Sequence, residues 1–188
     1  MRRRTLVVAL GLAVVLLGGF AYPPADQQAR AHEIAELARE LGLPETDPII
    51  QRAQALWWEA DAQFCADRDI IATVVYNEAG YGCSERHMEL VAGVLCNRVA
   101  DDRFPDTVYE VVVQPGQYHP DYANPDSCYG RRARESDRWA RCQEIAARAL
   151  RGEVEIDGAV LYQANFVQGS GIYETHITSY STSYFCYG

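Results

Sequence analysis

The chain has 188 residues, 48% of them hydrophobic, which is enough for one domain with accessory segments and a core of its own. Basic residues number 17 against 26 acidic ones, a net charge of −9, and with the leader arginines set aside the balance is about −12. Such a body excludes binding to nucleic acid or anionic lipid by bulk charge, so an anionic substrate would have to be met by a shaped groove.

Arg2, Arg3 and Arg4 precede an uncharged run from Thr5 to Pro24. A basic stretch followed by an apolar one marks an exported chain, with a leader over residues 1–22. Gly19-Phe20-Ala21 offers small residues where a signal peptidase reads, yet the run also approaches bilayer-spanning length. The leader is therefore read as a cleaved signal peptide or an uncleaved N-terminal membrane anchor. Either way the remainder is placed outside the cytoplasmic membrane, in the cell wall or on the membrane's outer face.

After Tyr22-Pro23-Pro24, residues Ala31, Ile34, Ala35, Ala38 and Leu41 recur at helical spacing until Gly42 and Pro44. A second helix is predicted after Thr46-Asp47, with Asp47 as cap, Pro48 in the first turn and Ile49, Ala53, Leu56, Trp57, Ala60 and Phe64 on one face. With no chemistry between them, the helices of residues 23–64 read as a spacer or packing segment ahead of a catalytic domain over 65–188. The pair Trp57-Trp58 can stack on a sugar, although rings of this kind more often serve a core or interface.

From Asp67 or Asp69 a new buried helix is predicted through Val75. The uncharged run Ile70 to Asn77 then delivers Glu78 to the turn Gly80-Tyr81-Gly82-Cys83. Ser84 with His87 opens the next helix, whose face is Met88, Val91, Ala92, Leu95 and Val99, and Asn97-Arg98-Val99 closes it. Phe104-Pro105-Asp106-Thr107 caps a short helix from Val108 to Val113, and a polar loop runs on to Arg134. A helix follows from Ser136 to Arg151, then two strand-like pieces, Ala159 to Phe166 and Ser179 to Tyr187, separated by Gly169-Ser170-Gly171. The fold class is α+β, mainly helical, with a small β element near the C-terminus.

Cys65, Cys83, Cys96, Cys128, Cys142 and Cys186 all follow the leader, and an even number in an exported chain favours disulfides. Cys128 with Cys142 and Cys65 with Cys186 are guessed pairings, while Cys96 also fits a buried thiol. The spacings contain no CxxC, and the histidines form neither HExxH nor HxH, so no metal site and no cofactor is expected. A Cys83 nucleophile with His119 or His176 as base would make a peptidase or amidase, but oxidation competes with that use.

Glu78 is the stronger candidate. A carboxyl delivered by an apolar segment to a cleft edge loses hydration, and its pKa rises toward general-acid range. Glu85, Asp101, Asp102, Asp106 and Asp121 all lie in solvent-like segments, so no second acid matches it. A single-acid mechanism remains open when the substrate supplies its own nucleophile. Among 12 tyrosines, Tyr76, Tyr81, Tyr118, Tyr122, Tyr162, Tyr173, Tyr180 and Tyr184 lie near turns and suit the wall of a sugar groove.

From Asp69 to Cys186 the order of motifs resembles the SleB-type (spore cortex-lytic) cell wall hydrolase family. Val75-Tyr76-Asn77-Glu78-Ala79 is similar to its Ala-Glu-Ala-Arg-Gly-Glu block, and Val94-Leu95-Cys96-Asn97-Arg98-Val99 to its apolar-Leu-Asn-Arg-Val block. Phe104-Pro105-Asp106-Thr107-Val108 and Val113-Gln114-Pro115-Gly116-Gln117-Tyr118 resemble its Phe-Pro-Asn-Thr-Val and Gln-x-Gly-Gln-Phe blocks. Ala159 to Asn165 is similar to its late strand, and Tyr184-Phe185-Cys186 to its closing aromatic pattern. The resemblance implies a compact lysozyme-like domain that cleaves peptidoglycan glycan strands, with Glu78 as catalytic acid in a lytic transglycosylase or muramidase; a monomer is expected. It places Gln117, Tyr118, Tyr162 and Asn165 on groove blocks, with vegetative wall and spore cortex, and germination, growth and division, all open as its setting. The family block's arginine and second glutamate are replaced in Gly80-Tyr81-Gly82-Cys83, and its late histidine by Ser183. The rival readings are a catalytically inactive glycan-binding or scaffold protein of the same fold, and the Cys-dependent peptidoglycan amidase or peptidase.

Overall fold

The computed structural model describes residues 27–188 except Glu45 and Tyr81. The expected leader lies outside the described residues, as do the side chains of Trp57 and Trp58. The described helices are α1 (Gln27–Leu41), α2 (Pro48–Ala79), α3 (Glu85–Val99), α4 (Val108–Val113), α5 (Cys128–Arg134) and α6 (Trp139–Leu150). A 3₁₀ turn, Pro120–Ala123, lies between α4 and α5, and the strands are β1 (Val160–Ala164), β2 (Gly171–Ile177) and β3 (Thr182–Tyr187). The fold is a mainly helical α+β arrangement.

Two compact units meet between Cys65 and Ala66, inside α2. In the first, Gly42 takes a positive φ of 63° at the end of α1. The Asp47 carboxylate accepts from the Ile49 N–H at 2.9 Å, capping α2 as its sequence predicts. Ala38 and Ile50 are buried there.

The predicted break near Asp67 does not occur. From Ile49 to Ala79 the chain contains neither Gly nor Pro, so nothing in the backbone ends α2. Asp67 is buried within it. Asp69 accepts from Arg68 at 2.8 Å and from Gln143 at 2.8 Å, tying α2 to α6 instead of capping a new helix.

In the second unit α3 is the central element. Leu90 through Leu95 are all buried, which requires neighbours on every side. The core gathers Ile71, Val74 and Val75 of α2, Val111 and Val112 of α4, Ile145 and Ala146 of α6, and Phe185 of β3. Ser84 accepts from the His87 N–H at the start of α3, and Thr107 accepts from the Glu110 N–H at the start of α4. Both caps fall where the sequence predicts them.

Two elements differ from expectation. The segment read as a polar loop contains α5, whose Ser127 cap accepts from the Gly130 N–H at 3.0 Å. The β element has three antiparallel strands in the order β1-β3-β2. The missed strand β2 carries Glu174, Thr175 and His176, so it lacks the apolar run that marks a strand. All six cysteines are free thiols, so the expected disulfides are not formed. Cys142 and Cys186 are buried as small apolar side chains instead.

Candidate active site

Glu78 lies in the last turn of α2, where the helix dipole places partial negative charge and no basic residue compensates it. Ala79 is buried and seats the helix end. Gly80 and Gly82 then adopt positive φ values of 69° and 84°, which a side chain would strain. The Gly80 carbonyl accepts from the Arg138 guanidinium, and the Ala79 carbonyl from the Cys83 thiol. These contacts hold the glycine turn, and with it the direction in which Glu78 leaves the helix.

Burial raises the Glu78 carboxyl above its ordinary value of 4.5, and a hydrogen bond with the Tyr122 side chain opposes that shift. The residue as a whole is nonetheless exposed to solvent. The two facts fit a carboxyl packed against protein on one side and open to solvent on the other. Such a group keeps its proton to higher pH than a free glutamate and can still meet a substrate oxygen.

The wall beside it comes from the segment between α4 and α5. Tyr122 shares its hydrogen bond with Glu78, and burial followed by the Glu78 charge raises its phenol pKa. The Tyr118 phenol is raised by burial first, with the Glu78 charge adding to it, and its hydroxyl has no protein partner. Tyr129 packs edge-on to Tyr122 with ring centroids 5.2 Å apart, and His119 lies 4.4 Å from Tyr129. His119 Nδ1 accepts from the Asp121 N–H at 3.2 Å, which begins the 3₁₀ turn. The result is an aromatic wall with hydroxyl tips beside a carboxyl.

Arg98 supports this wall from behind. Its Nε donates to the Leu161 carbonyl at 2.7 Å, and its guanidinium lies 5.3 Å from the ring centroids of both Phe104 and Tyr118. Asn97 donates to the Asp157 and Val160 carbonyls at 2.9 and 3.0 Å. Both residues tie α3 to β1 and its approach, the structural use their sequence context indicates.

The other expected groove residues are distributed differently. Gln117 is half-buried next to Tyr118, within the turn closed by its N–H to the Gln114 carbonyl. Tyr162 lies on β1 opposite Cys186, and Asn165 is exposed just beyond that strand. Thus Tyr118 joins Glu78, whereas Tyr162 and Asn165 belong to the sheet. Tyr122 and Tyr129 carry more of the wall than their sequence context reveals, because only the turn at Pro120 brings them round.

The remaining candidates are committed elsewhere. Glu85 pairs with Arg148 at 3.3 Å and with Arg141. Hydrogen bonds from Arg103 hold the Asp101 carboxyl down at about 2. Burial pushes the Cys83 thiol above its ordinary value despite the Arg138 charge, which disfavours a thiolate. Among the described residues no group of three or more His, Cys, Asp or Glu is placed to hold a metal ion.

The family model described as Cell Wall Hydrolase matches residues 82–186. No curated protein and no solved structure matches the chain.

Proposed function

The chain belongs to the cell wall hydrolase family, whose substrate is peptidoglycan, and on that premise we propose that it cleaves the glycan strand with Glu78 as its acid and base. The matched span opens at Gly82, just beyond Glu78, so the role of Glu78 rests on its own surroundings. The observation that carries it is a carboxyl whose pKa burial raises, hydrogen-bonded to Tyr122 beside an aromatic wall.

The course that fits a single acid is that of a lytic transglycosylase. Protonated Glu78 gives its proton to the glycosidic oxygen between N-acetylmuramic acid and N-acetylglucosamine. That bond breaks, and the muramyl C6 hydroxyl closes on the anomeric carbon. The Glu78 carboxylate takes the hydroxyl proton and is ready for another cycle. Tyr118, Tyr122 and Gln117 border the strand, with Tyr162 and Asn165 further along it. Residues 23–64 serve as spacer to a catalytic domain over 65–188, which works outside the cytoplasmic membrane after export through the leader.

A Glu78→Gln variant is expected to fold normally and to lose at least about 100-fold in clearance of purified cell walls. Clearance at the parent rate would refute the acid role, whereas a parent that clears no wall at all would favour an inactive glycan-binding protein. Mass spectra of parent digests should show anhydro-muramyl ends, whereas reducing ends would mean hydrolysis. The same digests on vegetative wall and on spore cortex distinguish the two substrates. A Cys83→Ser variant is expected to retain clearance, and its loss under reducing conditions would restore the thiol mechanism.

A further inference from the structure

A recess lies at the β2–β3 hairpin, and Gly82, at the far end of the turn that follows Glu78, forms part of its edge. It has a volume of about 500 Å³ and is bordered by Gly82, Ser84, His87, His176, Thr178 and Tyr180 among others. His87 is 1% exposed, yet neither of its ring nitrogens has a hydrogen-bond partner. A buried imidazole without partners forgoes the hydration of both nitrogens, a cost that a ligand in the recess would offset.

The groups around it indicate which ligand fits. The His176 ring lies 5.1 Å from that of His87, and its Nε2 is 2.6 Å from the Glu174 carboxylate. Glu174 is held in turn by Arg86 at 2.9 Å, and Arg86 also donates to the Glu155 carbonyl at 2.6 Å. The recess itself is lined by His87, His176, Ser84, Thr178 and Ser179 among others, with no Asp, Glu, Lys or Arg among its lining residues. At the hairpin tip Tyr180 is 89% exposed. The tip itself is closed by Thr178 N–H to the Ser181 carbonyl at 2.9 Å and by Ser181 N–H to Thr178 Oγ1 at 3.0 Å. An exposed ring on a braced turn, beside imidazoles and hydroxyl-bearing residues, matches a sugar: C–H face to the ring, hydroxyls or acetamido group to the imidazole.

We propose that the recess formed by His87, His176 and the Tyr180 hairpin, lined by none of Glu78, Tyr118 and Tyr122, is an accessory binding site for a neutral N-acetylated saccharide ring. The choice of a sugar rests on the glycan reading above, while the existence of the site rests on the unpartnered imidazole and the recess.

The test uses the Glu78→Gln protein, so that binding is measured without turnover, with tetra-N-acetylchitotetraose as probe. Its addition is expected to move the imidazole resonances of His87 and His176. Tyr180→Ala and His87→Phe are each expected to weaken the affinity measured through those shifts or by calorimetry about tenfold. Tyr180→Ala alters an exposed side chain and keeps the test decisive if His87→Phe does not fold. Unmoved imidazoles, or an affinity unchanged by Tyr180→Ala, would overturn the proposal. So would resonances that respond to zinc or to D-alanyl-D-alanine but not to the sugar. Clearance by Glu78→Gln and sugar binding by Tyr180→Ala are separate readouts, so either reading can fail alone.

Discussion

At the scale of single residues, the chemistry turns on how much the surroundings of one carboxyl favour its proton. Two influences oppose each other at Glu78: burial disfavours the charge, and the hydrogen bond with Tyr122 favours it, with burial the larger. A general acid works only while protonated, so activity should fall as pH rises through the raised Glu78 pKa. Removing the hydroxyl in Tyr122→Phe takes away the influence that stabilises the carboxylate. The alkaline limb of the kcat/KM profile should therefore move to higher pH, and a limb that stays in place would show that this hydrogen bond does not act on the acid. Glu78 is legible from sequence because an uncharged run leads into it and glycines follow. Tyr122 is not, because nothing in its neighbourhood separates it from the other tyrosines; its importance arises when the 3₁₀ turn brings it to a residue far away along the chain.

At the scale of elements, the close approach between the β1–β2 connection and the end of β3 has a measurable consequence. Gly169 has a φ of 62°, and a Cβ there would overlap the Tyr187 carbonyl oxygen and come within 3.0 Å of the Tyr162 ring. The same carbonyl accepts from the Ser170 N–H at 3.1 Å, so the strand end cannot recede without losing a hydrogen bond. Gly169→Ala should cost about 2–3 kcal/mol, combining backbone strain with overpacking. It is checked by the urea midpoint, and an unchanged midpoint would mean that the loop relaxes freely. The caps Asp47, Ser84 and Thr107 were legible because a capping side chain acts on N–H groups within three residues. Strand β2 was not, because an edge strand is held by pairing with β3 rather than by an apolar face of its own. The continuity of α2 also escaped sequence reading, since Asp67 and Asp69 carry the side chain of a cap while being held by tertiary contacts.

At the scale of the whole molecule, His87 links stability to pH. Desolvation, followed by the neighbouring His176, lowers its pKa from 6.5 to about 4. Between those values the unfolded chain binds a proton that the folded chain does not, so folding weakens as pH falls from 6.5 toward 4. The full effect is at most roughly 3 kcal/mol. His87→Phe keeps the ring beside Phe185 and removes the titration. Its stability advantage over the parent in urea should grow as pH is lowered through that window. A difference constant with pH would show that His87 does not titrate there.

By itself the sequence determined the mainly helical α+β class, the boundaries of the short helix after Thr107, and the family through ordered blocks of local pattern. These depend on spacing, capping and composition, all of which act within a few residues. Only the tertiary structure decided that α2 runs unbroken, that a third strand completes the sheet, that the cysteines stand as free thiols, that Tyr122 bonds to Glu78 and that Tyr118 comes within reach of its charge. Burial, strand pairing and the field around a carboxyl arise from residues distant in sequence, and the chain acquires them only on folding.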